Sequence, residues 1–339
     1  MSNTEKNRQP EVAVIILNWN GAKLLKEYLP QVIENTNPAI ARVIVADNGS
    51  TDNSRELLED EFPTVETLYF DKNYGFAEGY NRALGAYRHY PYTVLLNSDA
   101  APAKGWIDSL YEFMKEHPEA GGCQPKLRSY MEKDRFEYAG ACGGYIDRNG
   151  YPYCRGRIFA TCEADRGQYD SVAEIDWASG AALMVRTELY LETGGLDPKF
   201  FAHMEEIDLC WRIRLAGYKL YAVPEAIVYH LGGGSLPPSD PRKTYLNFRN
   251  NLLMLYKNLP VEGRGKALTV RRLLDTIAWA KFVLTLEPGN ANAILRAHRD
   301  FRKMKKEMKT ADAKTNLLAK RPNILVRYYL KGKKTYDKL

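Results

Sequence analysis

Asn97-Ser98-Asp99 stands where the apolar run 93–96 gives way to a loop. A carboxylate at such a point can hold a hard divalent cation, because oxygen donors suit Mg²⁺ and Mn²⁺. His230 closes another short apolar run, 227–229, and could add an imidazole to the same ion. That donor set suits Mn²⁺ better than Ca²⁺. The competing reading is a hydrogen-bonded structural histidine beside glycines. Glu205, Glu206 and Asp208 crowd the start of a helical pattern. Acids there complement a helix dipole, and Asp208 with Arg212 makes an ordinary i,i+4 pair. A carboxylate near a bound metal and an alcohol could equally serve as a general base. The stretch NYGFAEGYN (73–81) joins a strand to a helix, and its glycines would let backbone approach a phosphate or sugar closely.

Positioning these groups needs a sheet. Residues 12–17, 43–46, 67–70 and 93–96 read as buried strands, separated by helical stretches at 22–34, 54–61 and 77–88. Continuous apolar strands alternating with helices predict an α/β fold with a mostly parallel sheet covered on both faces. Ligands of such a sheet bind beyond the carboxyl ends of its strands. Here the four runs end at Asn18, at Asp47, at Asp71 and Asn73, and at Asn97 and Asp99. Any one of these could be a helix cap or turn residue. All four together predict a polar site along one rim.

Downstream, 101–175 is rich in Gly, Tyr and charge and predicts strands and loops over one side of the sheet. Gly180 starts an apolar strand that runs to 186, and a helix follows from Thr187 until Gly194-Gly195. Residues 203–216 form a helix, and 221–223 and 227–229 form two short strands. After Pro237-Pro238 the chain turns helical and apolar-aromatic, which places a boundary near 236. The expected organisation is a disordered 1–10, a domain over 11–235, and a helical, basic region over 236–339.

The 339 residues suffice for a sizeable core, and the 12% aromatic content excludes a disordered or fibrous chain. No apolar run reaches the roughly 20 residues that span a bilayer, and 1–10 lacks the apolar stretch of a secretory signal. Five cysteines without a CxxC read as reduced thiols in a cytoplasm. No GxGxxG, GxxxxGK[ST], HExxH or GxSxG occurs, which argues against dinucleotide folds, P-loop enzymes, zincins and α/β-hydrolases. Residues 296–339 carry 15 Lys and Arg against 4 Asp and Glu, so with +6 overall the first 295 residues carry −5. An acidic body with a basic tail is not a nucleic-acid-binding footprint.

Taken in order, the segments VIILNWNG (14–21), VIVADNGSTDNS (43–54), NYGFAEGYNRAL (73–84), LLNSDA (95–100), DWASGAALMVR (176–186), GGLDPKFFAHMEEIDLCWRIRLAGY (194–218) and VYHLGGGS (228–235) resemble the family 2 glycosyltransferases with a GT-A fold. The nearest group is the rhamnosyltransferase-like enzymes of bacterial surface polysaccharide synthesis. The resemblance covers about 11–235. It implies a nucleoside diphosphate sugar, with Asn18 and Asp47 at its base and ribose and with Asn73 and the Gly75 loop nearby. Asn97-Ser98-Asp99 matches the family's DxD element with its first acid replaced. That leaves Asp99 as the carboxylate ligand of Mn²⁺ or Mg²⁺, and Asn97 hydrogen-bonding the nucleotide. His230 matches a histidine that helps bind metal or diphosphate. Glu205-Glu206 stands where the family shows Glu-Asp, which makes Glu206 the base, with Glu205 and Asp208 as alternatives. Trp177 and Gly180 would line the acceptor pocket, unless Trp177 belongs to the core.

The implied reaction is an inverting, metal-dependent transfer to a hydroxyl of a saccharide or lipid-linked acceptor. On the resemblance the donor is dTDP-rhamnose; a UDP-hexose, UDP-N-acetylhexosamine or galactofuranose donor, or a non-catalytic nucleotide-sugar-binding module, are the alternatives. In the tail, Lys303, Lys305, Lys306, Lys309, Lys331, Lys333 and Lys334 cluster near Trp279, Phe282, Leu284, Tyr328 and Tyr329. Such a mixture predicts peripheral attachment to an anionic inner leaflet from the cytoplasm. A solvated basic helix with a dimerisation segment is the competing reading.

Overall fold

The computed structural model describes residues 9–232 and 240–339. The expected boundary near 236, Gly233 to Ser235, and most of the N-terminal 1–10 lie outside them. Strands β1 (Val12–Asn18), β2 (Ala41–Asp47), β3 (Glu66–Tyr69) and β4 (Tyr92–Leu96) alternate with helices α1 (Ala22–Asn35), α2 (Ser54–Glu61) and α3 (Phe76–Ala86). Then follow β5 (Ala100–Pro102), α4 (Trp106–Glu116) and β6 (Ala120–Ser129). β1 pairs in parallel with β2 and β4, and β2 with β3. Within β1 the buried side chains alternate between two cores. Val12, Val14 and Ile16 face one, while Ala13 and Ile15 face the other. This period-2 burial on both faces is why the run is apolar throughout.

A small four-stranded sheet comes next: β7 (Gly144–Ile146), β8 (Pro152–Cys154), β9 (Arg157–Ile158) and β10 (Thr161–Cys162). β11 (Ala173–Ile175), β12 (Ala182–Arg186) and β13 (Lys219–His230) complete the nine-stranded main sheet. Between β12 and β13 lie α5 (Thr187–Glu192) and α6 (Glu205–Leu215). The sheet is mixed, since β12 runs antiparallel to both β4 and β6.

Two local expectations are corrected. The stretch 101–175 contains the helix α4, whose Trp106, Ile107, Leu110 and Met114 are buried in the second core. The two short strands at 221–229 are one strand with a register shift between Val223 and Ile227. Pro224, which cannot donate to the ladder, sits inside that shift.

The helical region, α7 (Pro241–Asn258), α8 (Val261–Leu284) and α9 (Pro288–Met304), is not a detached appendage. Leu252, Leu253, Met254, Phe301, Leu318 and Ile324 share one apolar cluster with Ala13, Ile15 and Leu95 of the sheet. The last residues fold back over the small sheet. Tyr336 stacks on Tyr145 at 5.2 Å, Tyr328 Oη lies 2.8 Å from Thr161 Oγ1, and Arg321 pairs with Asp176. Tyr328 is thereby committed to the protein, against its expected role as a membrane anchor.

Candidate functional site

The register of the parallel strands brings their carboxyl ends level, with Asn18 opposite Asp47. Asn18 Nδ2 donates to Asp47 Oδ2 at 2.8 Å and to Ser50 Oγ at 3.2 Å, and its Oδ1 is buried without a partner. Asp47 Oδ1 accepts the Ser50 N–H at 2.9 Å. Next to this pair, Asn48 Nδ2 donates to Asn73 Oδ1 and to the Gly75 carbonyl, both at 3.0 Å, and its Oδ1 accepts the Tyr74 N–H. Asn48 therefore ties the β2 end to the glycine loop, a role that sequence reading missed. Gly49 makes the approach possible. Its φ is +71°, and a Cβ there would lie 2.4 Å from the Lys72 carbonyl carbon. Gly75, at φ +79°, has open space where a Cβ would stand.

At the β4 end, Asp99 Oδ1 and His230 Nε2 are 3.0 Å apart, and the Asn97 amide nitrogen is 3.2 Å from the same imidazole nitrogen. Ser98 is half-buried between them. β13 delivers His230 because its last residues pair antiparallel with β5, His230 against Ala100. Glu137, a buried carboxylate in a stretch with no sequence periodicity to flag it, places Oε1 3.5 Å from His230 Nδ1. Burial acts to lower the His230 pKa, but the bond to Asp99 and the nearby Glu137 raise it to about 10. The Asp99 carboxyl is desolvated yet held below its ordinary value by His230. Among the described residues no cluster of three or more His, Cys, Asp or Glu could hold a metal. The chain can thus offer a cation one carboxylate and one imidazole, once His230 gives up its proton.

The acidic helix start reaches the same rim. The Asn97 N–H donates to the Ala181 carbonyl at 3.1 Å, and a Cβ on neighbouring Gly180 would stand 3.8 Å from both Glu206 Cβ and Phe76 Cζ. Gly180, Phe76 and Glu206 therefore meet beside Asn97. Glu206 Oε2 is buried with no hydrogen-bond partner. Desolvation raises its pKa to about 7 against the pull of backbone N–H groups. Glu205 is held well above its ordinary value, first by burial and then by Glu206. One of the two carboxyls must then hold a proton near neutrality.

The turn before α6 is strained: Phe201, His203 and Met204 have φ of +68°, +68° and +75°. Fully buried Asn250 of α7 holds it, its Nδ2 lying 2.9, 2.8 and 2.7 Å from the carbonyls of Phe200, Ala202 and His203. Nothing in the sequence points to Asn250.

Two expected site residues lie elsewhere in function. Asp208 is fully buried, with Arg212 Nε at 2.9 Å, Lys257 Nζ at 2.8 Å and Asn258 Nδ2 at 2.7 Å. Those cations hold its pKa low despite burial. It anchors α6 to α7 and is not free to act as a base. Trp177 is buried in the core, its indole N–H donating to the Tyr145 carbonyl at 3.0 Å and its ring packed on Gly144. It presents no face to a sugar.

Residues 13–165 match the family described as Glycosyl transferase family 2. The chain is 26% identical over 234 residues to the N-acetylglucosaminyl-diphospho-decaprenol L-rhamnosyltransferase of Mycobacterium tuberculosis, covering 64% of this chain and 75% of that protein. Its fold resembles GalNAc-T7 solved with UDP, GalNAc and Mn²⁺, with a TM-score of 0.57 and 16% identity over 74% of this chain and 48% of that one. S. aureus TarS 1-349 in complex with UDP-GlcNAc gives a TM-score of 0.57 and 14% identity over 86% and 80%. Rim, mixed sheet and sequence match agree: the chain is a glycosyltransferase with a GT-A fold, its residues 13–165 match the family 2 glycosyltransferases, and it is similar to a rhamnosyltransferase.

Proposed function

We propose that the chain transfers a sugar with inversion, rhamnose from dTDP-rhamnose, to a hydroxyl of a saccharide carried on a lipid. The observation that carries this is the Glu206 carboxyl, whose buried Oε2 has no hydrogen-bond partner, at the same rim as the Asp99–His230 pair and linked to it through Asn97. In this reading Asn18 and Asp47 receive the nucleoside, and the Gly75 loop closes on the donor beside them. The ionised Glu206 takes the proton of the acceptor hydroxyl as that oxygen attacks the anomeric carbon. The bond from that carbon to the diphosphate breaks on the opposite face, and the diphosphate leaves with the electron pair. Asp99 and His230 would hold Mn²⁺ or Mg²⁺, which offsets charge developing on the diphosphate. The rhamnosyl group and the lipid-linked acceptor follow the name of the mycobacterial relative, an N-acetylglucosaminyl-diphospho-decaprenol L-rhamnosyltransferase, and the dTDP carrier follows the family resemblance.

A thermal-shift screen of dTDP- and UDP-sugars, with and without Mn²⁺, tests the donor. Stabilisation by dTDP-rhamnose with Mn²⁺ supports the proposal. Stabilisation by a UDP-sugar alone replaces the donor and leaves the chemistry standing. Glu206→Gln turning over at the wild-type rate removes it from the base position.

A further inference from the structure

The outer face of α8 and α9 is apolar where a surface helix is ordinarily polar. Leu273, Ile277 and Leu284 are 63%, 67% and 83% exposed, and Leu286, at the corner between the helices, is 87% exposed. At 100° per residue Leu273, Ile277 and Leu284 fall within about 40° of one another, so they form one stripe. A groove of about 450 Å³ runs beside it, with Leu273, Trp279 and Leu295 in its walls and Arg272 and Arg302 at its edges. No described residue covers this stripe.

Charge decides what could. The exposed charged side chains of α8 beyond its kink at Gly263 are Lys266, Arg272 and Lys281, all cations. α9 adds exposed Arg299 and Arg302. The acid of this stretch of α8, Asp275, is fully buried, held by Arg271 Nε at 2.8 Å and His298 Nε2 at 3.1 Å. Glu287, past the corner, bonds Thr285 and Asn290. Two copies of the chain meeting on this face would bring like charges together. An anionic phospholipid surface offers the opposite charge to the cations and a hydrocarbon boundary to the leucines.

We propose that the α8–α9 face is a membrane-docking surface, which lies on an anionic bilayer with Leu284 and Leu286 entering the interface and Arg272, Lys281 and Arg302 meeting lipid phosphates. No helix among the described residues is long and apolar enough to cross a membrane, so docking is peripheral. The surface keeps Trp279 and Leu284 of the anchors that the tail's composition suggested and drops the late tyrosines. The late aromatics Tyr328 and Tyr329 pack on Phe159 at 5.1 and 5.4 Å, whereas Leu273, Leu284 and Leu286 stand free of the body. The proposal rests on the surface alone and is independent of the donor and of Glu206.

The full chain is floated with vesicles of phosphatidylcholine alone or mixed with phosphatidylglycerol, without donor or acceptor. Binding to the mixed vesicles that weakens in high salt is expected. Arg272→Gln with Arg302→Gln should lower partitioning roughly 30-fold, from a factor of about 5 per base near the surface. Leu284→Ser with Leu286→Ser should abolish flotation. Both variants should keep the thermal shift with nucleotide sugar, which shows that they fold. Wild-type protein left at the bottom with the mixed vesicles overturns the proposal. So does a stable dimer that Leu273→Asp with Ile277→Asp dissolves, because a second copy would then occupy the face.

Discussion

Asn250→Ala probes how the base is presented. In the native protein one buried amide serves three carbonyls of a turn whose Phe201, His203 and Met204 are all left-handed. Non-glycine residues in that region cost on the order of 1 kcal/mol or more each. The turn therefore stores about 3 kcal/mol, held by two N–H donors shared among three acceptors. Removing the amide leaves buried carbonyls unsatisfied at about 1–3 kcal/mol apiece, more than the strain the turn can keep. The turn should relax and carry the first residues of α6 with it. A misplacement of about 1 Å at a reacting group costs about 100-fold in rate. The expected result is a fall of that order in kcat with donor affinity held and with unchanged far-ultraviolet circular dichroism. The pH profile supplies the sharper readout. A relaxed Glu206 becomes hydrated, so the rise in rate should move from about 7 toward the ordinary carboxyl range near 4.5. Wild-type kcat in Asn250→Ala, with the rise still near 7, would refute the reasoning.

Other outcomes follow from the same geometry. The wild-type rate should climb as pH rises through about 7, because Glu206 must be ionised to accept a proton and its buried carboxyl holds one below that. Glu206→Gln should lose transfer yet be more stable by on the order of 3 kcal/mol at pH 8. The raised pKa means that ionisation costs folded-state stability progressively as pH climbs from about 4.5 to about 7, and the amide escapes that cost. Asp208→Asn should do the reverse. It should lower stability by about 3 kcal/mol by stripping a buried partner from Arg212 and Lys257, while transfer per folded molecule falls far less than in Glu206→Gln. Asp99→Ala should raise the Mn²⁺ concentration needed for donor-induced stabilisation, read by titrating the ion in a thermal-shift assay, and should lower the metal-free melting temperature too, because His230 loses a buried partner.

The first half of the fold was legible because its signals are local. Three of the four apolar runs bury both faces, and the third, expected to be buried, is the half-buried edge strand β3; composition announces the strands, and the polar residue ending each run marks where the chain leaves the sheet. α4 escaped notice although it is amphipathic, because it lies in a stretch dominated by Gly, Tyr and charge. The long β13 was read as two strands because Pro224 interrupts the run without ending it. At the site, residues next to strand ends were found and residues recruited from afar were not. Asn48, Glu137 and Asn250 belong to no periodic pattern, and their partners lie 25 or more residues away.

Composition and order along the chain determined that a polar rim would line a parallel set of strands, since apolar runs and turn residues act over short distances. They could not determine which carboxylate is free. Asp208 and Glu206 are two positions apart on one helix; one faces Lys257 and Arg212 and the other faces Gly180 beside Asn97. That division is made by packing. A helix turns about 100° per residue, so neighbouring acids meet different surroundings, and only the folded chain supplies them.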